Sequence, residues 1–186
     1  MTSPDILLDD GRSSVEIHRQ YLSKEDAFEL FEKCQVLKWT PIISIDPNKP
    51  DRYGYFCGSY PGLRQSNATL LSRQVMTIPI FDLKVRIQKQ FNAFLDNTMV
   101  NDYRSVDNFI TYHRDLGCDG PHDLVVTVSL GGSRSMKIQN IQNADIRYET
   151  VLDNGDLVIM SGRCQHEWYH AIDGGEGRRI SITFRN

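Results

Sequence analysis

Arg179-Ile-Ser-Ile-Thr-Phe-Arg185, RISITFR, is the stretch that decides how the chain is read. Ile180, Ile182 and Phe184 alternate strictly with Arg179, Ser181, Thr183 and Arg185, a period of two that belongs to a strand and not to a helix. One face of that strand is apolar and the other carries two cations and two hydroxyls. If the polar face is solvated, the segment is an ordinary amphipathic strand. If it points into a barrel, guanidinium groups that pair bidentately with carboxylates, beside donating hydroxyls, suit a dicarboxylate. The segment spans about 20 Å when extended, so one arginine is expected to dominate.

Working outward, segments rich in β-branched and aromatic residues recur between turn signals at 98–103, 109–112, 124–130, 135–138, 146–152, 156–160 and 167–172. Upstream, Ser23 is placed to cap a helix running to Cys34, with acids in its first turn and Ala27, Leu30, Phe31 and Cys34 at helical spacing. A second amphipathic helix is expected over 81–95, with Leu83, Ile87, Phe91, Phe94 and Leu95 on one stripe. Residues 40–79 hold five of the seven prolines and read as loops and short extended pieces covering something. The expected fold class is α+β, mostly β: a double-stranded β-helix, or cupin-like jelly roll, with N-terminal helices packed on one sheet. One domain over 1–186 is expected, with helices and a substrate-covering lid in 1–96 and the jelly-roll core in 97–186.

Composition sets outer limits. Of the 186 residues 40 % are hydrophobic and 24 % charged, which excludes wholesale disorder. No apolar run approaches the roughly 18 residues that cross a bilayer, and the start lacks a basic n-region, so a cytoplasmic or nuclear chain, not secreted and not in a membrane, is expected. The four cysteines are scattered without a C-x-x-C pair, which argues against a zinc knuckle or a disulfide framework. With a net charge of -3, a nucleic-acid partner would need a local basic surface.

His113-Arg-Asp115 places an imidazole and a carboxylate two apart, so on a strand both can face one cation. A triad of two histidines and one carboxylate leaves positions open on Fe(II), and it requires one more imidazole. Alone the pattern is weak, since a chain with five histidines carries it often by accident. Gln165-His-Glu-Trp-Tyr-His170 offers His166 and His170, four apart on one face of an extended strand; spacing leaves both open.

Taken in order, Asn101-x-Tyr103, His113-x-Asp115, Val126-Thr-Val-Ser-Leu-Gly131 with Arg134, Asn154-Gly-Asp156-Leu-Val-Ile-Met160, Trp168-Tyr-His170 and Arg179-x-Ser-x-Thr-Phe-Arg185 resemble the AlkB family of Fe(II)- and 2-oxoglutarate-dependent dioxygenases. The resemblance covers about residues 95–185. It implies iron ligands His113, Asp115 and His170, which sets His166 aside. It implies that Arg179, helped by Ser181 and Thr183, binds the distal carboxylate of 2-oxoglutarate, that Arg185 lies nearer the metal, and that Asn101 and Tyr103 hydrogen-bond the co-substrate. The implied reaction consumes O2 and 2-oxoglutarate and demethylates N-alkylated bases of single- or double-stranded DNA or RNA, as in DNA repair, with release of succinate, CO2 and formaldehyde. A monomer is expected.

The substrate side is less marked. Members of that family that repair bases carry acids after H-x-D, whereas Leu116 and Gly117 follow here and Asp119 alone could take such a role. Arg64 and Tyr60, in the stretch 60–67, are the candidates for contacting substrate from a lid. The same oxygenase chemistry on a protein or small molecule is the alternative, and a jelly-roll binding module with incidental histidines is a third reading.

Overall fold

Every residue of Arg179–Arg185 is buried, because both faces of this strand are covered. The computed structural model describes residues 3–43, 51–65, 69–117 and 120–186. In chain order the elements are β1 (Asp5–Asp9), β2 (Ser13–His18), α1 (Lys24–Gln35), β3 (Thr40–Ile42), β4 (Arg52–Cys57), β5 (Gly62–Arg64), β6 (Leu70–Ser72) and α2 (Ile78–Phe91). There follow β7 (Asn97–Tyr103), β8 (Ile110–His113), β9 (Leu116–Gly117), β10 (Gly120–Pro121), β11 (Leu124–Gly131), β12 (Arg134–Asn140) and β13 (Arg147–Leu152). The last are β14 (Leu157–Gly162), α3 (Cys164–Glu167), β15 (Trp168–Gly175) and β16 (Arg179–Arg185).

Two antiparallel sheets build the jelly roll. The large one runs β1-β2-β14-β11-β16-β7-β4-β3 and the small one β13-β12-β15-β8, with β5-β6 and β9-β10 as separate ribbons. This is the mostly-β, helix-flanked architecture expected from the alternation. In β16, Ile180, Ile182 and Phe184 join Ala27 and Leu30 of α1, Ile80, Leu83 and Ile87 of α2, and Val126, Val128 and Leu130 of β11 in one core. Arg179, Ser181, Thr183 and Arg185 therefore face the other way, into the space between the sheets. Each fully buried aliphatic or aromatic side chain of this core contributes on the order of 1.5–3 kcal/mol, and that burial holds the strand's polar face inward.

The first half is more than helices and a cover. β1 to β4 all pair into the large sheet: β2 lies against β14 and β4 against β7. β4 is buried along most of its length on both faces, so its sequence RYGYFC shows no alternation to read. The second helix begins at Ile78, where Pro79 sits in its first turn, and ends at Phe91 before Asn92 in the left-handed region at φ 48°. Phe94 and Leu95 lie beyond it.

Candidate active site

His113 and His170 face each other as directly paired residues of the neighbouring strands β8 and β15, with ring centroids 4.1 Å apart. Asp115 follows the end of β8, its carboxylate oxygens 3.8 Å from His113 Nε2 and 3.9 Å from His170 Nε2. One ligand atom from each of the three lies within 4.8 Å of the others. His113 Nδ1 sits 2.9 Å from the carbonyl oxygen of Thr111; a carbonyl only accepts, so the proton belongs on Nδ1 and Nε2 keeps its lone pair for a cation.

The electrostatics suit a metal. Burial pushes the His170 pKa down to about 3, with His113 adding to the shift, and burial likewise lowers His113; both rings are neutral near pH 7. Burial would raise the Asp115 carboxyl, but Arg185, His170, His113 and His122 outweigh it and hold the group at about 2. Arg185 Nη2 donates to Asp115 Oδ1 at 2.6 Å, and the Asp115 backbone N–H donates to Gln165 Oε1 at 2.8 Å. Two neutral imidazoles and one ionised carboxylate are the donor set of a facial triad.

Beside the triad lies a cavity of about 330 Å³ between the sheets. Arg179 is fully buried in its wall; its Nε donates to Ser129 Oγ on β11 at 2.9 Å, and its guanidinium carbon is 5.2 Å from the Tyr103 ring centroid. Nη1 and Nη2 of Arg179 have no hydrogen-bond partner among the described residues. A buried guanidinium with two idle nitrogens is costly unless an acceptor arrives, and a carboxylate presents two oxygens to that fork. Ser181 and Thr183 lie on the same face, and across the sheet Tyr103 pairs with Arg179 and Asn101 with Ser181. The donor set and the cavity thus fit Fe(II) and 2-oxoglutarate.

The sequence-derived residues His113, Asp115, His170, Asn101, Tyr103, Arg179, Ser181, Thr183 and Arg185 all line this one cavity. Arg64 reaches its rim from β5. Tyr60 is not among the lining residues and packs against the cluster of Ile42, Phe56, Leu71 and Met99, because its ring is drawn into that apolar surface. Asp119 lies outside the described residues. His166 sits on α3, 3.6 Å from Asp123 and apart from the triad. Three contributors escaped the sequence reading: Arg52 on β4, Gln165 on α3, and Ser129. The last carried a signal, since Thr127 and Ser129 interrupt an apolar run at every second position.

A family model for the 2OG-Fe(II) oxygenase superfamily matches residues 8–185, and the chain belongs to that superfamily. Fe(II), 2-oxoglutarate and O2 are accordingly its cofactor, co-substrate and oxidant. Its similar proteins include AlkB homologues. It is similar to the alpha-ketoglutarate-dependent dioxygenase alkB homolog 3 of Rattus norvegicus, 25 % identical over 191 residues covering 94 % of the chain. The human alkB homolog 3 is 26 % identical over the same share. An uncharacterised protein, R406, of Acanthamoeba polyphaga mimivirus is 29 % identical over 107 residues, 55 % of the chain and 56 % of that protein. The chain spans 64 % of the rat relative's length. The solved structure of OsALKBH1 shares the fold, with a TM-score of 0.66 at 17 % identity over 92 % of this chain and 97 % of that one.

Proposed function

We propose that this protein oxidatively demethylates N-alkylated bases in DNA or RNA, with His113, Asp115 and His170 as the iron ligands and Arg179 as the anchor of 2-oxoglutarate. The observation that carries the reading is the charge of the cavity wall: among the described residues Arg52, Arg64, Arg114, Arg179 and Arg185 line it against the one carboxylate of Asp115, in a chain whose net charge is -3. A site so cationic in an acidic molecule is built for anions. Part of that charge answers the diacid, and Arg64 and Arg114 at the mouth remain for the phosphates of a polynucleotide.

When bound, iron with 2-oxoglutarate and O2 supplies the oxidant that hydroxylates an N-methyl carbon, with succinate and CO2 as co-products. The chain's residues arrange that chemistry. Arg179 pairs bidentately with the distal carboxylate while Ser181 and Thr183 donate beside it. Arg185 and Gln165 hold Asp115 by its carboxylate and its backbone, fixing the ligand's angle. The apolar side chains of Met136, Leu152, Val158 and Ile172 in the cavity wall keep water from the reacting carbon. The hydroxymethyl product then collapses to the free base and formaldehyde.

Leu116 and Gly117, where acids would contact an extruded base, support the second reading, oxidation of a protein or small molecule by the same machinery. Both readings meet in one assay: succinate and formaldehyde release with methylated single-stranded DNA, duplex DNA, RNA, and a panel of peptides and metabolites. Stimulation by a methylated oligonucleotide is expected. Turnover with the panel alone would replace the first reading by the second.

A further inference from the structure

Arg52 is 4 % exposed and lines the cavity, yet among the described residues its side chain donates to two neutral amides. Nε donates to Asn101 Oδ1 at 2.9 Å and Nη2 to Gln65 Oε1 at 2.9 Å. Guanidinium has no acceptor, so these contacts decide which end of each amide faces it. With Oδ1 of Asn101 occupied, Nδ2 is the end left to the cavity that this residue also lines. Asn101 stands opposite Ser181 in the sheet register, on the face that carries Arg179.

We propose that Arg52 is a positioning residue for 2-oxoglutarate: it locks the Asn101 amide with the N–H2 turned toward the co-substrate, and through Gln65 it ties that orientation to the rim segment bearing Arg64. An amide without this lock presents oxygen as readily as nitrogen to an anion, and the oxygen repels it. The inference rests on the reading that the cavity takes 2-oxoglutarate.

The test is calorimetric titration of 2-oxoglutarate into Mn(II)-loaded, oxygen-free protein, with melting temperatures recorded alongside. Asn101→Asp keeps an acceptor for Arg52, so the fold is retained, but it turns a carboxylate toward the diacid. Arg52→Met removes the lock. Each is expected to raise the Kd for 2-oxoglutarate about tenfold or more, the scale on which one hydrogen bond to a charged group acts. Arg52→Lys recovers part of the affinity, and the double variant Arg52→Met with Asn101→Asp binds no worse than Asn101→Asp alone, since both act through one amide. The loss falls on the KM for 2-oxoglutarate more than on kcat, because the lock acts on binding. Wild-type protein that binds no 2-oxoglutarate would sink the underlying reading. Wild-type binding abolished in Arg179→Met but unchanged in folded Arg52→Met, or additive losses in the double variant, would overturn the role of Arg52.

Discussion

At the scale of single residues, the site holds groups in states that water would not favour, and this makes them testable. Arg179 is buried with two nitrogens unpaired, so Arg179→Met should cost the ligand-free fold nothing and raise its melting temperature. Replacing a buried ion by an apolar side chain of similar volume is neutral or stabilising by about 1–4 kcal/mol. The same variant should weaken 2-oxoglutarate binding at least about a hundredfold, since the bidentate pair is the strongest contact available to the diacid. Proton linkage gives a second prediction. In metal-free protein burial brings the His170 pKa to about 3 from 6.5, and His113 is lowered in the same direction. Below 6.5 the unfolded chain therefore binds protons that the folded chain refuses, and stability falls as pH drops through that window. Asp115, lowered from 3.8 to about 2, adds a loss of the same sign below 3.8. Melting temperatures of chelator-treated protein between about pH 7 and 4 should decline, and His170→Asn should flatten the slope. A slope unchanged by that substitution would show that His170 is not buried neutral.

At the scale of elements, β16 is the strand on which both core and site depend, since it pairs with β11 on one side and β7 on the other along its whole length. Phe184→Ala should lower the unfolding free energy by about 3–5 kcal/mol in urea titration, the usual cost of emptying a fully buried aromatic position. Ser23→Ala, which removes the side chain accepting from the Asp26 N–H at the start of α1, should cost only about 1 kcal/mol. This strand was also the most legible from sequence, because its strict alternation assigns every side chain to a face. So were β7, β8 and β11 to β15, each within three residues of its observed ends. β1 to β4 were not read as sheet: β1 and β2 stand ahead of a helix, apart from the run of strands after residue 97, and β4 is buried on both sides, so period-two patterning fails where both faces are apolar. The pairing of His113 with His170 was within reach of pattern and resemblance together. Arg52 was not, because its neighbours Asn101 and Gln65 are 49 and 13 positions away and nothing local marks the interaction.

At the scale of the whole molecule, overall charge and local charge point in opposite directions, and the local one governs the mouth of the cavity. For a methylated oligonucleotide, kcat/KM should fall as salt rises from about 50 to 200 mM. The dependence should become shallower in Arg64→Ala with Arg114→Ala, by about one unit of log–log slope for every phosphate that is no longer neutralised. A neutral methylated nucleoside should show no such trend. Three cysteines take no part: burial pushes the thiols of Cys34, Cys57 and Cys164 up to about 12, 11 and 12, so they stay protonated and unreactive toward oxidants.

The imidazoles belong to the small sheet and Arg52, Arg179 and Arg185 to the large one, with the ion pair of Arg185 and Asp115 joining the two. Cargo that engages both sides at once works as a rivet between plates. Amide hydrogen exchange in β8 and β15 should slow when metal and diacid bind together, by more than the sum of either alone. Turnover then has a mechanical echo: each release of succinate, one carbon shorter, loosens the plates just when the site must empty and refill.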